Sequence, residues 1–225
     1  MAEKLNSIFS YQFDSIIWKY LVDTDLNKIA VELRSHSQMS VQFAICDLDS
    51  SEVKYLTTDF DWWTSIEAFK GEYLYLKQYE SDNNPDVKSF IEFHIPSSEF
   101  KTYPNEDIIP ETQNDLLRPA LYPATNEHYQ LILDFIKDRT NEDANVAGIE
   151  FLDWNENVCV SYYVGKPKMA NYLLVVDKEK KNLLNECIDN NLEGIGQDTF
   201  TIANNKLIFV KGKKELNIYQ INEDA

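Results

Sequence analysis

Two aromatic pairs stand beside polar or flexible neighbours in this 225-residue chain, and they are its sharpest chemical features. Trp62-Trp63 follows Asp59 and Asp61, and Tyr162-Tyr163 precedes Gly165. Aromatic faces flanked by carboxylates can hold a sugar or a peptide by stacking and hydrogen bonding. The same residues can instead pack between sheets, with one ring on either side of a strand. Three carboxylates, Glu67, Glu150 and Asp198, fall in or next to strands and are candidates for paired acid and base work. Glycoside hydrolysis needs two such groups roughly 5–5.5 or 6.5–9.5 Å apart.

The remaining chemistry is sparse. Histidine occurs at His36, His94 and His128, with no two at metal-ligand spacing and no HExxH. Asp23-x-Asp25-x-Asn27 opens like a calcium loop, but Lys28 stands where glycine is needed and Arg34 where the bidentate glutamate belongs. It reads as a turn between strands. Gly194-x-Gly196 lacks the third glycine of a dinucleotide fingerprint and is followed by a strand. No GxSxG is present. No metal, no cofactor and no catalytic residue is expected from these motifs.

Charge narrows the partners. Asp and Glu number 38 against 21 Lys and Arg, a net charge of −17. That balance disfavours a nucleic-acid backbone and an anionic membrane surface. The expected partner is a protein or a small-molecule ligand. Cys46, Cys159 and Cys187 are widely spaced among apolar neighbours and read as free thiols, which fits a reducing cytoplasm. The first residues, MAEKLNSIFSYQF, carry no apolar core of a signal peptide.

The elements that must position these residues are strands. Hydrophobic residues make up 44% of the chain, and its 13 Tyr and 12 Phe favour strands over helices. Ile29, Val31 and Leu33 alternate with Ala30, Glu32 and Arg34, the mark of a half-buried strand. Near the end of the chain, Phe200–Ala203, Leu207–Val210 and Leu216–Ile221 form a meander with turns at Asn204-Asn205 and Gly212-Lys213. Comparable meanders cover residues 15–57, 64–103 and 147–188, and the last covers 199–221. Two of the three intervals are about 50 residues, the period of a β-propeller of four-stranded blades.

The fold class expected is therefore mostly all-β, a single domain spanning 1–225. It is a propeller-like array of four antiparallel meanders, or five if residues 104–146 are a degenerate blade. The last meander shows three strands, and Ile8–Phe13 has strand alternation that suits the missing fourth. Residues 104–146 form the insertion. Five of the seven prolines fall between 96 and 123 and argue against regular structure there, and a helix is expected over 127–139. That helix has Asn126 as N-cap and an apolar stripe of His128, Leu131, Ile132, Phe135 and Ile136.

The chain resembles an uncharacterised bacterial family, a domain of unknown function with propeller-like repeats. The resemblance rests on Ile17-Trp18, Asp61-Trp62-Trp63, Ser161-Tyr162-Tyr163 and Gly194-Ile195-Gly196-x-Asp198-Thr199-Phe200. It implies the fold and one domain, and carries over no activity. Two functions are consistent with all this. One is a non-catalytic binding or scaffold domain with ligand contacts at Trp62, Trp63, Tyr162 and Tyr163. The other is a hydrolase using paired carboxylates at the mouth of a central channel.

Overall fold

A computed structural model describes residues 5–79, 87–104, 108–110, 116–144 and 148–221. Its regular structure is almost entirely antiparallel strand, arranged in four sheets, with a single helix among the described residues. The chain divides into two compact units, residues 13–115 and residues 1–12 with 116–225.

β1 (Leu5–Gln12) belongs with the end of the chain, and its partner is taken up below with the second unit. In the unit of residues 13–115, β2 (Ile16–Asp23), β3 (Lys28–Ser35), β4 (Ser40–Asp47) and β5 (Glu52–Tyr55) pair in chain order. β6 (Thr64–Lys70), β7 (Tyr73–Tyr79), β8 (Lys88–His94) and β9 (Glu99–Pro104) form a second meander of the same kind. Consecutive pairing is what short polar turns allow. Asp23 and Asp47 each end a strand and accept backbone N–H bonds two and three residues on, closing the turn with a side chain. One apolar cluster joins the two sheets, through Phe43 and Ile45 on one side and Ile66, Leu76, Ile91 and Phe93 on the other. Strand β3 departs from the alternation expected of it. Six of its eight residues are buried, Glu32 and Arg34 among them, because both of its faces are covered.

In the other unit, β10 (Ala120–Pro123), β11 (Gly148–Trp154), β12 (Asn157–Val164), β13 (Met169–Val176) and β14 (Asn182–Leu192) form a five-stranded sheet. β10 corrects the expectation that the proline-rich stretch lacks regular structure. It is an edge strand, where Pro123 has no ladder hydrogen bond to withhold from a second neighbour. Period-two patterning then separates the faces of this sheet. Cys159, Leu173 and Val175 pack toward Phe200, Leu207 and Phe209, whereas Val160, Tyr162, Leu174 and Val176 pack toward the helix.

That helix, α1, spans Tyr129–Thr140 rather than 127–139. Asn126 does not cap it directly; its side chain accepts the His128 N–H at 2.8 Å, one step earlier. Asn141 ends it in the left-handed conformation, donating its N–H to the Lys137 carbonyl. The buried stripe is Tyr129, Ile132 and Ile136. The expected stripe is therefore rotated: His128 and Leu131 are exposed and Phe135 is only partly covered. Tyr129 supplies the apolar surface that the sequence pattern assigned to Leu131.

The last sheet runs β1-β17-β16-β15, with β15 (Phe200–Ala203), β16 (Lys206–Lys211) and β17 (Glu215–Ile221). Asn204 and Asn205 both have positive φ, 45° and 58°, the geometry of a tight hairpin that twists with its strands. β1 pairs antiparallel with β17 from Leu5↔Ile221 to Gln12↔Glu215, so the two ends of the chain share one sheet. Cys46 and Cys159 are buried free thiols whose pKa values burial pushes up to about 12, so both stay protonated. Among the described residues no helix is long and apolar enough to cross a membrane.

Loss of residues 1–12 strips β17 of one of its two partners and leaves an apolar strand edge open. The truncated protein is expected to aggregate, or to fail to fold, because an unpaired edge templates pairing between molecules. Size-exclusion chromatography and thermal melting check this, and a monomer with an unchanged midpoint contradicts it.

Candidate functional site

Trp62 lies in a small aromatic assembly that the local backbone builds within the unit of residues 13–115. Ahead of β6, Asp61 accepts the Trp63 N–H at 3.0 Å and the Thr64 hydroxyl at 3.2 Å. This side-chain turn fixes where the two indoles leave the chain. On β2 the pairing register with β3 shifts between Ile17 and Lys19, which makes Trp18 the extra residue of a bulge. A bulge re-aims its side chain. Trp18 is 57% exposed, yet its ring meets the Arg34 guanidinium, whose carbon lies 5.2 Å from the ring centroid. Trp62 meets the same guanidinium at 4.8 Å. His36 lies beside both indoles, with ring centroids 5.0 Å from Trp62 and 6.5 Å from Trp18.

Arg34 is held from beneath. Its Nε donates to Glu32 Oε1 at 2.6 Å, Nη1 to the Trp62 carbonyl at 2.9 Å and Nη2 to the Thr64 carbonyl at 3.1 Å. Glu32 is fully buried, and its other oxygen accepts the Ser65 hydroxyl and the Ile66 N–H. A planar cation bonded through each of its three nitrogens holds two rings far more firmly than a lysine would. The product is a rigid surface of two indoles and an imidazole. Trp63, on the same short turn, is 37% exposed.

The tyrosine pair occupies a different setting. Tyr162 and Tyr163 are 0% and 2% exposed. They leave β12 on opposite faces. Tyr162 stacks on Tyr172 and donates to Asn185, while the Tyr163 hydroxyl accepts the Gly196 N–H at 2.7 Å. Burial pushes both phenols above their ordinary pKa.

Of the candidate carboxylates, Glu67 lies 4.0 Å from the Lys19 ammonium in one unit, and Glu150 and Asp198 are neighbours in the other. Glu150 accepts the Asp198 N–H at 2.5 Å and both the N–H and the hydroxyl of Thr199. The Asp198 carboxylate itself pairs with Arg118. Among the described residues no group of three His, Cys, Asp or Glu is placed to hold a metal ion. Asp23, head of the calcium-like turn, gives both oxygens to backbone N–H groups, including that of Gly71 at 2.7 Å.

Sequence reasoning placed Trp62 and Trp63 beside a first strand. It did not connect them to Trp18, Glu32, Arg34 and His36. One signal was present: opposite charges at Glu32 and Arg34, two apart on a strand and so on one face.

These features define an all-β protein of consecutive antiparallel meanders, with an indole–guanidinium stack on one unit and buried tyrosines in the other. Residues 22–101 match the family described as Domain of unknown function (DUF4905). The matched stretch includes Glu32, Arg34, His36, Trp62 and Trp63, and excludes Trp18 and the tyrosine pair. No curated protein matches the chain. Among solved structures the chain is similar to the endo-arabinase from Bacteroides thetaiotaomicron VPI-5482, at 13% identity and a TM-score of 0.30, with 96% of each chain covered.

Removing Glu32 leaves a buried guanidinium without its counter-charge. Glu32→Ala is expected to cost about 3–5 kcal/mol in urea unfolding, and Trp62→Ala, which empties a half-buried site, clearly less. Equal losses in the two variants would show that Trp62 is itself a packing residue of full weight.

Glu150 gives a pH test. Burial raises its carboxyl above the ordinary 4.5, against the opposing pull of the Thr199 and Asp198 donors. The folded chain thus keeps this proton to higher pH than the unfolded chain does. Its contribution to stability is complete below pH 4.5 and is lost as pH rises through the raised value. Glu150→Gln lacks that loss. Whatever its constant offset, its unfolding free energy should gain on the native protein as pH rises from 4.5 toward neutrality. A parallel pair of pH profiles contradicts the raised value.

Proposed function

We propose that the protein is a non-catalytic binding domain whose ligand stacks on the tryptophans around Arg34. The observation that carries this reading is the 57% exposure of Trp18, an indole held at the surface by a guanidinium that is itself bonded through each of its three nitrogens. Exposed aromatic surface of this rigidity costs the unbound protein hydration and offers a ligand contact without ordering entropy. Trp62 and Trp63 are the contacts from the matched stretch. Tyr162 and Tyr163 are buried, so the reading rests on the tryptophans alone. A sugar ring or an extended peptide suits flat faces edged by Asp59 and Asp61, and four meanders in propeller-like sequence would present such a face on loops.

The hydrolase reading has one observation in its favour, the raised carboxyl of Glu150 beside Asp198. Against it, both Glu150 oxygens are already occupied by donors from the chain.

Titration of intrinsic tryptophan fluorescence with cello-, xylo- and malto-oligosaccharides, and with short tyrosine-containing peptides, tests the proposal. One of these is expected to bind saturably, and Trp18→Ala to weaken it by about tenfold or more without moving the melting midpoint. Release of new reducing ends, abolished by Glu150→Gln, would replace binding with hydrolysis. No saturable change with any probe, or binding indifferent to Trp18→Ala, overturns the stacking site.

A further inference from the structure

The rotation of α1 leaves a second stripe of the helix without a sheet to cover it. Leu131, Asp134, Phe135 and Asp138 follow one another at i, i+3, i+4 and i+7, so they share one side of the helix. Together with Tyr122 of β10 and Phe151 of β11 they line a groove of about 580 Å³. That volume lies within the roughly 300–1,000 Å³ typical of small-molecule sites, and its walls are of the same apolar kind. Tyr122 and Phe151 meet edge to face at 5.9 Å, which turns ring surface as well as ring edge toward the opening. Leu131, at the rim, is 69% exposed.

The carboxylates of this groove are Asp134 and Asp138, and one oxygen of Asp138 already accepts from the Arg139 guanidinium. Asp138 is held below the usual carboxylate range by the Arg139 guanidinium beside it and so stays ionised. The Asp134 carboxylate accepts one bond, from Gln130 Nε2 at 2.8 Å. The one basic side chain lining the groove among the described residues, His128, faces Glu127 at 3.6 Å. Aromatic faces add to the same polarity, since the π surface of a ring attracts positive charge.

We propose that this groove binds an organic cation with an apolar body, an amine carrying an aromatic or branched alkyl group. The body lies against Phe135, Tyr122 and Phe151, and the ammonium group is placed by Asp134 and Asp138. The site is independent of the tryptophan stack and stands or falls separately from it. It also accounts for Leu131, an exposed leucine on a helix whose other large apolar residues are covered or partly covered.

Three probes separate the terms: 2-phenylethylamine, 3-phenylpropionate, which keeps the ring and reverses the charge, and ethylamine, which keeps the charge and drops the ring. Binding is followed on the full chain by amide and methyl NMR shifts. Phenylethylamine is expected to bind saturably with shifts confined to α1, β10, β11 and the start of β12, where Val158 lines the groove. Phenylpropionate and ethylamine should each bind at least about tenfold more weakly. Asp134→Asn should weaken the amine severalfold. Leu131→Lys should abolish its binding with no change in melting midpoint, since Leu131 is 69% exposed. Equal binding of the amine and the carboxylate removes the charge argument and with it the proposal. So does shift mapping elsewhere, or an amine that never saturates. A concentration-dependent dimer that Leu131→Lys dissolves would assign the groove to a second copy of this chain and equally overturn it.

Discussion

A buried carboxylate bonded to the start of the next sheet is the interaction on which each unit depends. In the unit of residues 13–115 it is Glu32 of β3, whose Oε2 accepts from Ser65 and Ile66 of β6. In the other it is Glu150 of β11, which accepts from Asp198 and Thr199 just ahead of β15. Each glutamate lies on the second strand of its sheet order; Glu32 reaches into β6, and Glu150 reaches the residues that lead into β15. An apolar contact between sheets fixes their spacing and leaves sliding open. Charge-assisted bonds to backbone N–H groups fix the register as well, because a one-residue slip would leave a carboxylate buried with nothing to accept from. In this arrangement β10 takes the position of a first strand in its sheet, which is the structural role of a strand that prolines keep at the edge.

The two glutamates solve the charge problem differently. Glu32 has a cation, Arg34, and the guanidinium then has donors left over for the Trp62 and Thr64 carbonyls. Those donors are what make the indole stack rigid, so the surface feature rests on the buried one. Glu150 has no cation within its donor set, only N–H and O–H groups. Its carboxyl is accordingly displaced upward by burial. A raised carboxyl is a frequent mark of catalysis, but here the oxygens that would face a substrate are the oxygens that join two sheets.

Local pattern explains the surface features only in part. Trp18 reads as one more aromatic on a strand; it is the bulge on β2 that turns it out of the ladder and over Arg34. Leu131 reads as one more apolar position on a helix. It is the competing claim of Tyr129 on the sheet that turns it outward and opens the groove.

The sequence by itself determined the strands of the four meanders, their turns and their order, but not the edge strand β10. Alternation with period two and paired asparagines at a hairpin are local properties, set by backbone sterics within a few residues. It also determined the free thiols and placed Trp62 and Trp63 on a turn ahead of a strand. Only the tertiary structure decided which faces are covered twice. Glu32 and Arg34 read as the solvent side of β3, because alternation cannot report a second sheet packed against the polar face. Tyr162 and Tyr163 read as adjacent rings at a strand end, but α1 covers one face of β12 and the chain around Gly196 meets the other. The rotation of α1 was undecided for the same reason. Several stripes of that helix are apolar enough to be buried, and the shape of the sheet beneath, absent from any local window, chose among them.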